Sequence, residues 1–498
     1  MLSVSFVVKH TSGEIKSIHF IGVCGTAMAS IAALLKELGY HVTGSDENVY
    51  PPMSTFLQER GITILAGYDQ SHLDRKPDLV VVGNAVRRGN PEAEFILERR
   101  WNYCSLPEVI RRFLLPGKKS VVVTGTHGKT TTTSLAAWVF DQAGLDPGFL
   151  IGGIPLNFGH GARLGRGEHF LIEGDEYDTA FFDKRSKFVH YEPHIAVLNN
   201  IEFDHADIFD SVEAIQRSFR QLIAVVPRNG IVLANGDDPN VLDVIQTAHC
   251  RVETFGLGEK NQWRATDLQQ TPDGSSFAIG RTEGWKDGRM SEGAPRAIAI
   301  QPSNLPIFHF SIPLSGEFNV RNALAVVVAA SLCGIPAGKI NAAFATFRNV
   351  KRRLEVRGEI NGVTLLDDFA HHPTAIRETI KAIRARYPGR RLWALFEPRS
   401  NTTRRHFFQR ELAEALALAD GVFIGKVDRL HELAEAERLN PDKLVADIAS
   451  TGRPAFFKPE VNELVGTLRP LVKPNDLVAV FSNGKFDGVH EKILKALR

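Results

Sequence analysis

The chain has little excess charge of either sign. Across 498 residues, 59 Lys and Arg stand against 57 Asp and Glu, a formal net charge of +2. That balance gives no general pull toward nucleic acid or an anionic membrane surface. Cysteine is scarce. The four residues Cys24, Cys104, Cys250 and Cys333 are scattered and form no metal-like pair. Structural thiols in a reducing, cytoplasmic setting are the expectation. No apolar run approaches the roughly 20 residues that span a bilayer, so membrane insertion is not expected. The apolar stretch from Met1 to His10 is short and has no cleavage-type sequence. Coiled-coil, low-complexity and short-repeat patterns are also missing. What remains is an ordinary hydrophobic fraction of 43%, ample for several cores, on a length that suits roughly three domains.

One stretch carries more information than any other: Val121-Val-Val-Thr-Gly-Thr-His-Gly-Lys-Thr-Thr-Thr-Thr133. A β-branched strand stops at Gly125, and Gly128-Lys129-Thr130 opens a helix running through Phe140. Backbone N–H groups in such a loop converge on phosphate oxygens. Lys129 supplies a point charge for the outer phosphates, and the Thr130 hydroxyl is a natural Mg²⁺ ligand. The glycine spacing is shorter than in the usual pattern G-x-x-x-x-G-K-[ST], but the strand–loop–helix context is intact.

Three segments show strands alternating with helices, which predicts α/β domains. In the first, residues 1–117, Ile18-His-Phe-Ile-Gly-Val23 reads as a buried strand, followed by a turn at Gly22 and Gly25 and a helix from Ala29 to Leu38. Asp46 tips the next strand at about the distance where Rossmann proteins place a ribose-binding acid, although the glycine fingerprint is incomplete. The second, residues 118–350, holds the phosphate loop and strands ending near Glu173, Asn200 and Asp237, so their carboxylates should gather around it. Residues 258–300 are polar, Gly-rich and aperiodic, and read as an insertion or peripheral hairpins. The third, residues 351–498, has strands at Val363–Asp368, Leu392–Phe396, Gly421–Ile424 and Leu477–Phe481.

Several patterns fall in order along the chain: Gly125-Thr-His-Gly-Lys-Thr130, Glu173-Gly-Asp-Glu176, Asn200-Ile-Glu-Phe-Asp-His205, Gly316-Glu-Phe-Asn-Val-Arg-Asn322, Lys351-Arg-Arg353 and Asp367-Asp-Phe-Ala-His-His-Pro-Thr374. Together they resemble the Mur ligases, ATP-dependent amide-forming enzymes of peptidoglycan assembly, over nearly the whole chain. The resemblance implies a Rossmann-like UDP-binding N-terminal domain, a central P-loop ATPase-type domain and a Rossmann-like C-terminal domain for the amino substrate. It implies ATP and Mg²⁺ as cofactors, with the nucleotide held by Gly125, Thr126, His127, Gly128, Lys129, Thr130 and Thr131.

By the same resemblance, Thr130, Glu173 and His205 are metal ligands. Asn319 contacts adenine, Asp368 binds ribose, and Arg353 touches phosphate. His371 and His372 stand in the same cleft. Lys129, Glu173, His205 and Arg353 form the catalytic set. Imidazole is an unusual Mg²⁺ ligand, so a structural role for His205 stays open. No lysine occurs between His205 and Asn229, so the carbamylated lysine of some branches is not expected. Gly22, Gly25, Asp46 and Asn84 are candidates for the UDP end.

Within the family the motifs suit the branch that extends UDP-N-acetylmuramate. Gly44–Ser54, Gly174–Ser186, Phe396-Glu-Pro-Arg-Ser-Asn401 and Phe481-Ser-Asn-Gly484 resemble enzymes that add the tripeptide L-Ala-γ-D-Glu-meso-diaminopimelate in peptidoglycan recycling. Arg399 and Arg405 are candidates to pair with its carboxylates, Arg405 being equally suited to a solvated helix face. Lys485 departs from the Gly-rich loop of the family. The alternatives are L-alanine addition by the same mechanism, a dinucleotide-dependent oxidoreductase based on the first segment, and a non-catalytic nucleotide-gated binding protein.

Overall fold

The computed structural model describes residues 15–281, 285–286, 289–290 and 308–498. The apolar stretch from Met1 to His10 and part of the 258–300 segment lie outside the described residues. Three sheets organise the chain. The first contains β1 (Ser17–Ile21), β2 (His41–Asp46), β3 (Thr63–Ala66), β4 (Leu79–Val82) and β5 (Tyr103–Ser105), in the order β3-β2-β1-β4-β5. All its pairings are parallel. Strand order reverses between β1 and β4, the crevice where open α/β sheets accept ligands.

The second sheet has ten strands. They are β6 (Lys119–Thr124), β7 (Gly148–Leu150), β8 (Ala162–Arg163), β9 (His169–Glu173), β12 (Ile195–Leu198), β13 (Ile231–Asn235), β14 (Arg251–Gly256), β15 (Trp263–Thr271), β16 (Gly274–Arg281) and β19 (Phe308–Ile312). Two small ribbons stand apart: β10 (Asp178–Ala180) with β11 (Asp183–Ser186), and β17 (Trp285–Lys286) with β18 (Arg289–Met290). The order is β19-β16-β15-β14-β13-β12-β6-β9-β7-β8. The hairpin β15–β16 is therefore no peripheral insertion. It continues the sheet, and Ala265, Phe277 and Ile279 sit in the core. Its alternation of buried and exposed residues was hidden by a polar outer face.

β6 is buried along five of its six residues because helices cover both faces. Helix α2 (Lys129–Gln142) covers one of them; α1 (Thr26–Glu37) belongs to the first sheet. The polar residues of α2 are tolerated inside because Thr133 and Ser134 donate to the carbonyls of Lys129 and Thr130. Helix α3 (Glu317–Leu332) is apolar nearly all round and packs between the sheet and α2, as a helix without a polar face must.

The third sheet contains β20 (Glu355–Ile360), β21 (Val363–Asp368), β22 (Leu392–Phe396), β23 (Gly421–Ile424), β24 (Ala455–Phe457) and β25 (Leu477–Phe481), ordered β20-β21-β25-β22-β23-β24. Only the edge strand β20 is antiparallel. Helix α4 (Pro373–Arg386) follows β21. One hydrophobic cluster joins the first sheet to a face of the second, whereas the third sheet packs two clusters of its own. Among the described residues, no helix is long and apolar enough to cross a membrane.

Candidate active site

The loop after β6 is shaped by two glycines. Gly125 has φ +127°, and a Cβ there would lie 2.9 Å from the Asn200 backbone nitrogen. Gly128 has φ +84°, and its Cβ would lie 2.6 Å from Asn322 Oδ1. Asn200 braces the loop from the end of β12. Its carbonyl accepts the Thr126 N–H at 3.0 Å, and its Oδ1 accepts the His127 N–H at 2.7 Å. The loop thus opens into α2 with N–H groups and helix dipole directed at one concavity.

Acids from neighbouring strand ends meet the loop. Glu173, the last residue of β9, accepts from Thr130 Oγ1 at 2.7 Å and from the Gly152 N–H at 2.7 Å. Burial raises its pKa, reinforced by Asp175. Lys129 Nζ lies 2.8 Å from Glu176 Oε2 and donates to the Gly125 carbonyl at 2.7 Å. Burial opposes its charge, but Glu176, Asp175 and Glu173 outweigh burial and raise the Lys129 pKa. Glu176 also meets His205 Nε2 at 2.9 Å. Burial works against this carboxylate too, yet Lys129 and His205 hold it down at about 2. His205 adopts φ +56°, and its Nε2 points at Glu176 rather than at Glu173. For His205, burial is outweighed by Glu176 and Asp204, which raise its pKa.

The C-terminal sheet closes the other side. Arg353 NH2 reaches to 3.5 Å from Thr130 Oγ1. Asp368, at the end of β21, accepts backbone N–H groups of Leu354 at 2.7 Å and Ala370 at 2.8 Å. Burial raises the Asp368 pKa. Between the two sheets lies a cavity of about 1160 Å³. Thr126, His127, Gly128, Lys129, Thr130, Thr131, Glu173, His205, Asn319, Arg353, Asp368 and His371 all line it. Asn319 is tied to the Ser315 carbonyl at 2.8 Å and stands beside Asn322 at the start of α3. Gly125 lies behind the lining, where it lets the loop approach Asn200.

The first-segment candidates form a separate group. Gly22 donates its N–H to the Ser45 carbonyl, and Gly25 precedes α1. Asp46 accepts the N–H groups of Cys24 at 2.9 Å and Asn48 at 2.8 Å, and Asn84 is exposed beyond β4. These residues surround the β1–β4 crevice and do not line the cavity. Arg399 also stands outside it, with Nε 3.9 Å from Asp428. Arg405 does not present a free helix face. It precedes a short 3₁₀ turn and is bound to Glu437 at 2.6 Å. Lys485 reaches across to the first segment, 5.5 Å from the Tyr50 ring centre.

Sequence reasoning missed Glu176, Asn200, Glu202 and Asn322. All four sit inside the quoted motifs, but only packing shows what they touch. The donor set of the Thr130 hydroxyl and the Glu173 carboxylate suits a hard cation. Its 2.7 Å separation is close to the roughly 2.9 Å between adjacent oxygens around octahedral Mg²⁺.

Comparison with known proteins agrees with this architecture. Three family models match in succession: Mur ligase family, catalytic domain, over residues 17–116; Mur ligase middle domain over 123–330; and Mur ligase, glutamate ligase domain, over 352–484. The UDP-N-acetylmuramate--L-alanyl-gamma-D-glutamyl-meso-2,6-diaminoheptandioate ligase of Haemophilus influenzae is 43% identical, covering 97% of this chain and 99% of its own. The Escherichia coli ligase of the same name is 42% identical over 96% of this chain and 98% of its own. A crystal structure of a murein peptide ligase from Psychrobacter arcticus superposes with a TM-score of 0.69 at 36% identity, covering 97% of this chain and 98% of that one. The chain belongs to the Mur ligase family.

Proposed function

We propose that this protein is an ATP-dependent ligase that joins UDP-N-acetylmuramate to L-Ala-γ-D-Glu-meso-diaminopimelate, serving peptidoglycan recycling. The observation that carries the reading is the convergence of Lys129, Thr130, Glu173 and Arg353 from two domains on one cavity. The names and high identity of the relatives support the choice of acceptor. Family membership leaves no place for the oxidoreductase reading.

In this proposal residues 1–117 bind the UDP end through Gly22, Gly25, Asp46 and Asn84. Residues 118–350 bind ATP, and residues 351–498 bind the amine. A muramate carboxylate is a poor acyl donor, so its oxygen attacks the γ-phosphate of ATP and releases ADP. The amine then attacks the resulting acyl phosphate, forming the amide and releasing phosphate. Two anions must meet in the first step, which makes cation placement decisive. Lys129, held at the loop by Gly125 and Glu176, neutralises the outer phosphates. Arg353 adds a second charge when the C-terminal domain closes. Asn319 faces the adenine, with Asp368 and His371 near the ribose. Thr130 and Glu173, with His205 nearby, would hold Mg²⁺, which would supply neutralising charge to the phosphates. Arg399 recognises a carboxylate of the tripeptide.

The test is acceptor competition. With ATP, Mg²⁺ and UDP-N-acetylmuramate supplied, tripeptide should be turned over faster than L-alanine. Faster turnover of L-alanine rejects the tripeptide reading in favour of the alanine-adding one. Nucleotide binding without phosphate release from either acceptor would indicate a binding protein.

A further inference from the structure

Three side chains converge where the central and C-terminal domains meet, beside the phosphate loop. His127 comes from the loop itself, Glu202 from the segment after β12, and His372 from the residue that caps α4. His127 Nε2 stands 3.5 Å from Glu202 Oε2, and His372 Nδ1 stands 3.6 Å from the same oxygen. The two imidazole rings are 4.6 Å apart. Among the described residues these are the one group of three His, Cys, Asp or Glu side chains whose ligand atoms lie within 4.8 Å of one another. Tetrahedral ligands bound at 2.0–2.1 Å to Zn²⁺ are about 3.3 Å apart, so the two measured spacings need only a small inward movement.

The surroundings are arranged as for ligation. His372 Nε2 donates to the Phe203 carbonyl at 3.2 Å, which makes Nδ1 the ring's acceptor, 3.6 Å from Glu202 Oε2. Thr374 Oγ1 donates to Glu202 Oε2 at 2.7 Å and orients that carboxylate. Metal-bound imidazoles and carboxylates are held by such outer hydrogen bonds. His127 Nε2 is buried and has no hydrogen-bond partner. The weak bond from the Thr374 N–H to His372 Nδ1, at 3.3 Å, is what an ion would displace.

We propose that His127, Glu202 and His372 form a site for a borderline-soft divalent ion of the Zn²⁺ class, separate from the oxygen site at Thr130 and Glu173, that pins the two domains together. Two nitrogens and one oxygen favour Zn²⁺ or Co²⁺ over Mg²⁺. The ligands come from both sides of the cleft, so the bound ion holds the closed arrangement and slows the opening that releases product.

Co²⁺ added to the full chain in excess Mg²⁺ tests this. One equivalent should bind and give the visible absorption of a tetrahedral centre. His372→Asn retains an N-cap for α4 and should weaken Co²⁺ binding at least about 10-fold. Glu202→Gln should do the same, while His205→Asn should leave the absorption in place. Thermal melting establishes that each variant is folded. No tetrahedral absorption in the wild type, unchanged binding by folded His372→Asn, or loss of the absorption in His205→Asn would each overturn the proposal.

Discussion

The central domain meets its two neighbours through seams of opposite character. Toward the first sheet the seam is apolar. The turn Ile110–Leu114 packs on the turn Lys187–Tyr191, and Ile110, Leu114 and Phe188 belong to a hydrophobic cluster shared by both sides. Toward the third sheet no buried hydrophobic cluster of the described residues crosses, although Phe203 meets the rings of Phe407 and Phe408 there at 5.9 and 6.2 Å. Polar bonds span that seam instead: Thr402 Oγ1 to Asp204 at 2.6 Å, Thr374 Oγ1 to Glu202 at 2.7 Å and Asn401 Nδ2 to Asp207 at 2.7 Å. Apolar burial is non-directional and scales with the area removed from water. Hydrogen bonds exchange with water at little net change in free energy. This contrast predicts that the first seam stays shut in turnover while the second opens and closes around substrates. The cavity with Lys129 and Arg353 lies at the second.

The largest expected effect lies at the polar seam. Lys129→Ala removes the cation from the loop and leaves Glu176 buried without it. Breaking a buried pair this way costs about 3–5 kcal/mol, and losing a charge aimed at the transition state lowers phosphate release roughly 10²–10³-fold. A folded Lys129→Ala protein with near-normal phosphate release would remove the loop from the chemistry. Ile110→Ala tests the apolar seam. Ile110 is fully buried, and truncation should cost about 2–5 kcal/mol in denaturant unfolding. The folded fraction should keep its kcat/KM. A large kcat/KM loss there would mean that both seams move in turnover.

Acid distinguishes the seams further. Glu176 has a folded pKa of about 2 against an ordinary 4.5. A depressed carboxylate contributes stability that is present above pH 4.5 and lost as pH falls toward about 2. Lys129 has the opposite sign: its raised pKa contributes fully below 10.5 and is lost only above that value. With nucleotide and Mg²⁺ absent, urea midpoints of the wild type should drop between about pH 6 and about pH 3.5, and those of Glu176→Gln should drop less. Equal drops would show that the Lys129–Glu176–His205 chain adds nothing to acid sensitivity. Ile110→Ala leaves the Lys129–Glu176–His205 chain in place and should track the wild type.

Why some of this was legible in the chain and some was not follows from distance along it. The phosphate loop is local. Strand, glycines, Lys129 and helix lie within a dozen residues, and the periodicity alone orders them. Ribose, adenine and phosphate candidates became legible only through resemblance, because Asn319, Arg353 and Asp368 carry no local signature. Glu176 escaped for a different reason. It shares a motif with Glu173, but only the turn after β9 carries it to Lys129 and His205. A hairpin was expected near β15–β16, but its place inside the main sheet was not legible because one face is solvated. The partner that Arg405 takes was not legible, because Glu437 lies 32 residues away.

The smallest expected effect is the most discriminating. Asn401 donates to Asp207 across the polar seam from an exposed position. Such a bond contributes only about 0.5–1.5 kcal/mol. Inside its own domain, Asn401→Ala disturbs a long 3.5 Å bond from Arg429 to Asn401 Oδ1. If the bond to Asp207 forms only when the C-terminal domain closes, its loss shifts the closing equilibrium by roughly 2- to 10-fold, since 1.4 kcal/mol is one power of ten. That shift should appear as a higher KM for the amine substrate, with the melting temperature unchanged within about 1 °C. The reverse pattern, a lowered melting temperature with KM unchanged, would make this contact part of a permanently shut interface. The contrast between the two seams would then fail at the place where it is easiest to disturb.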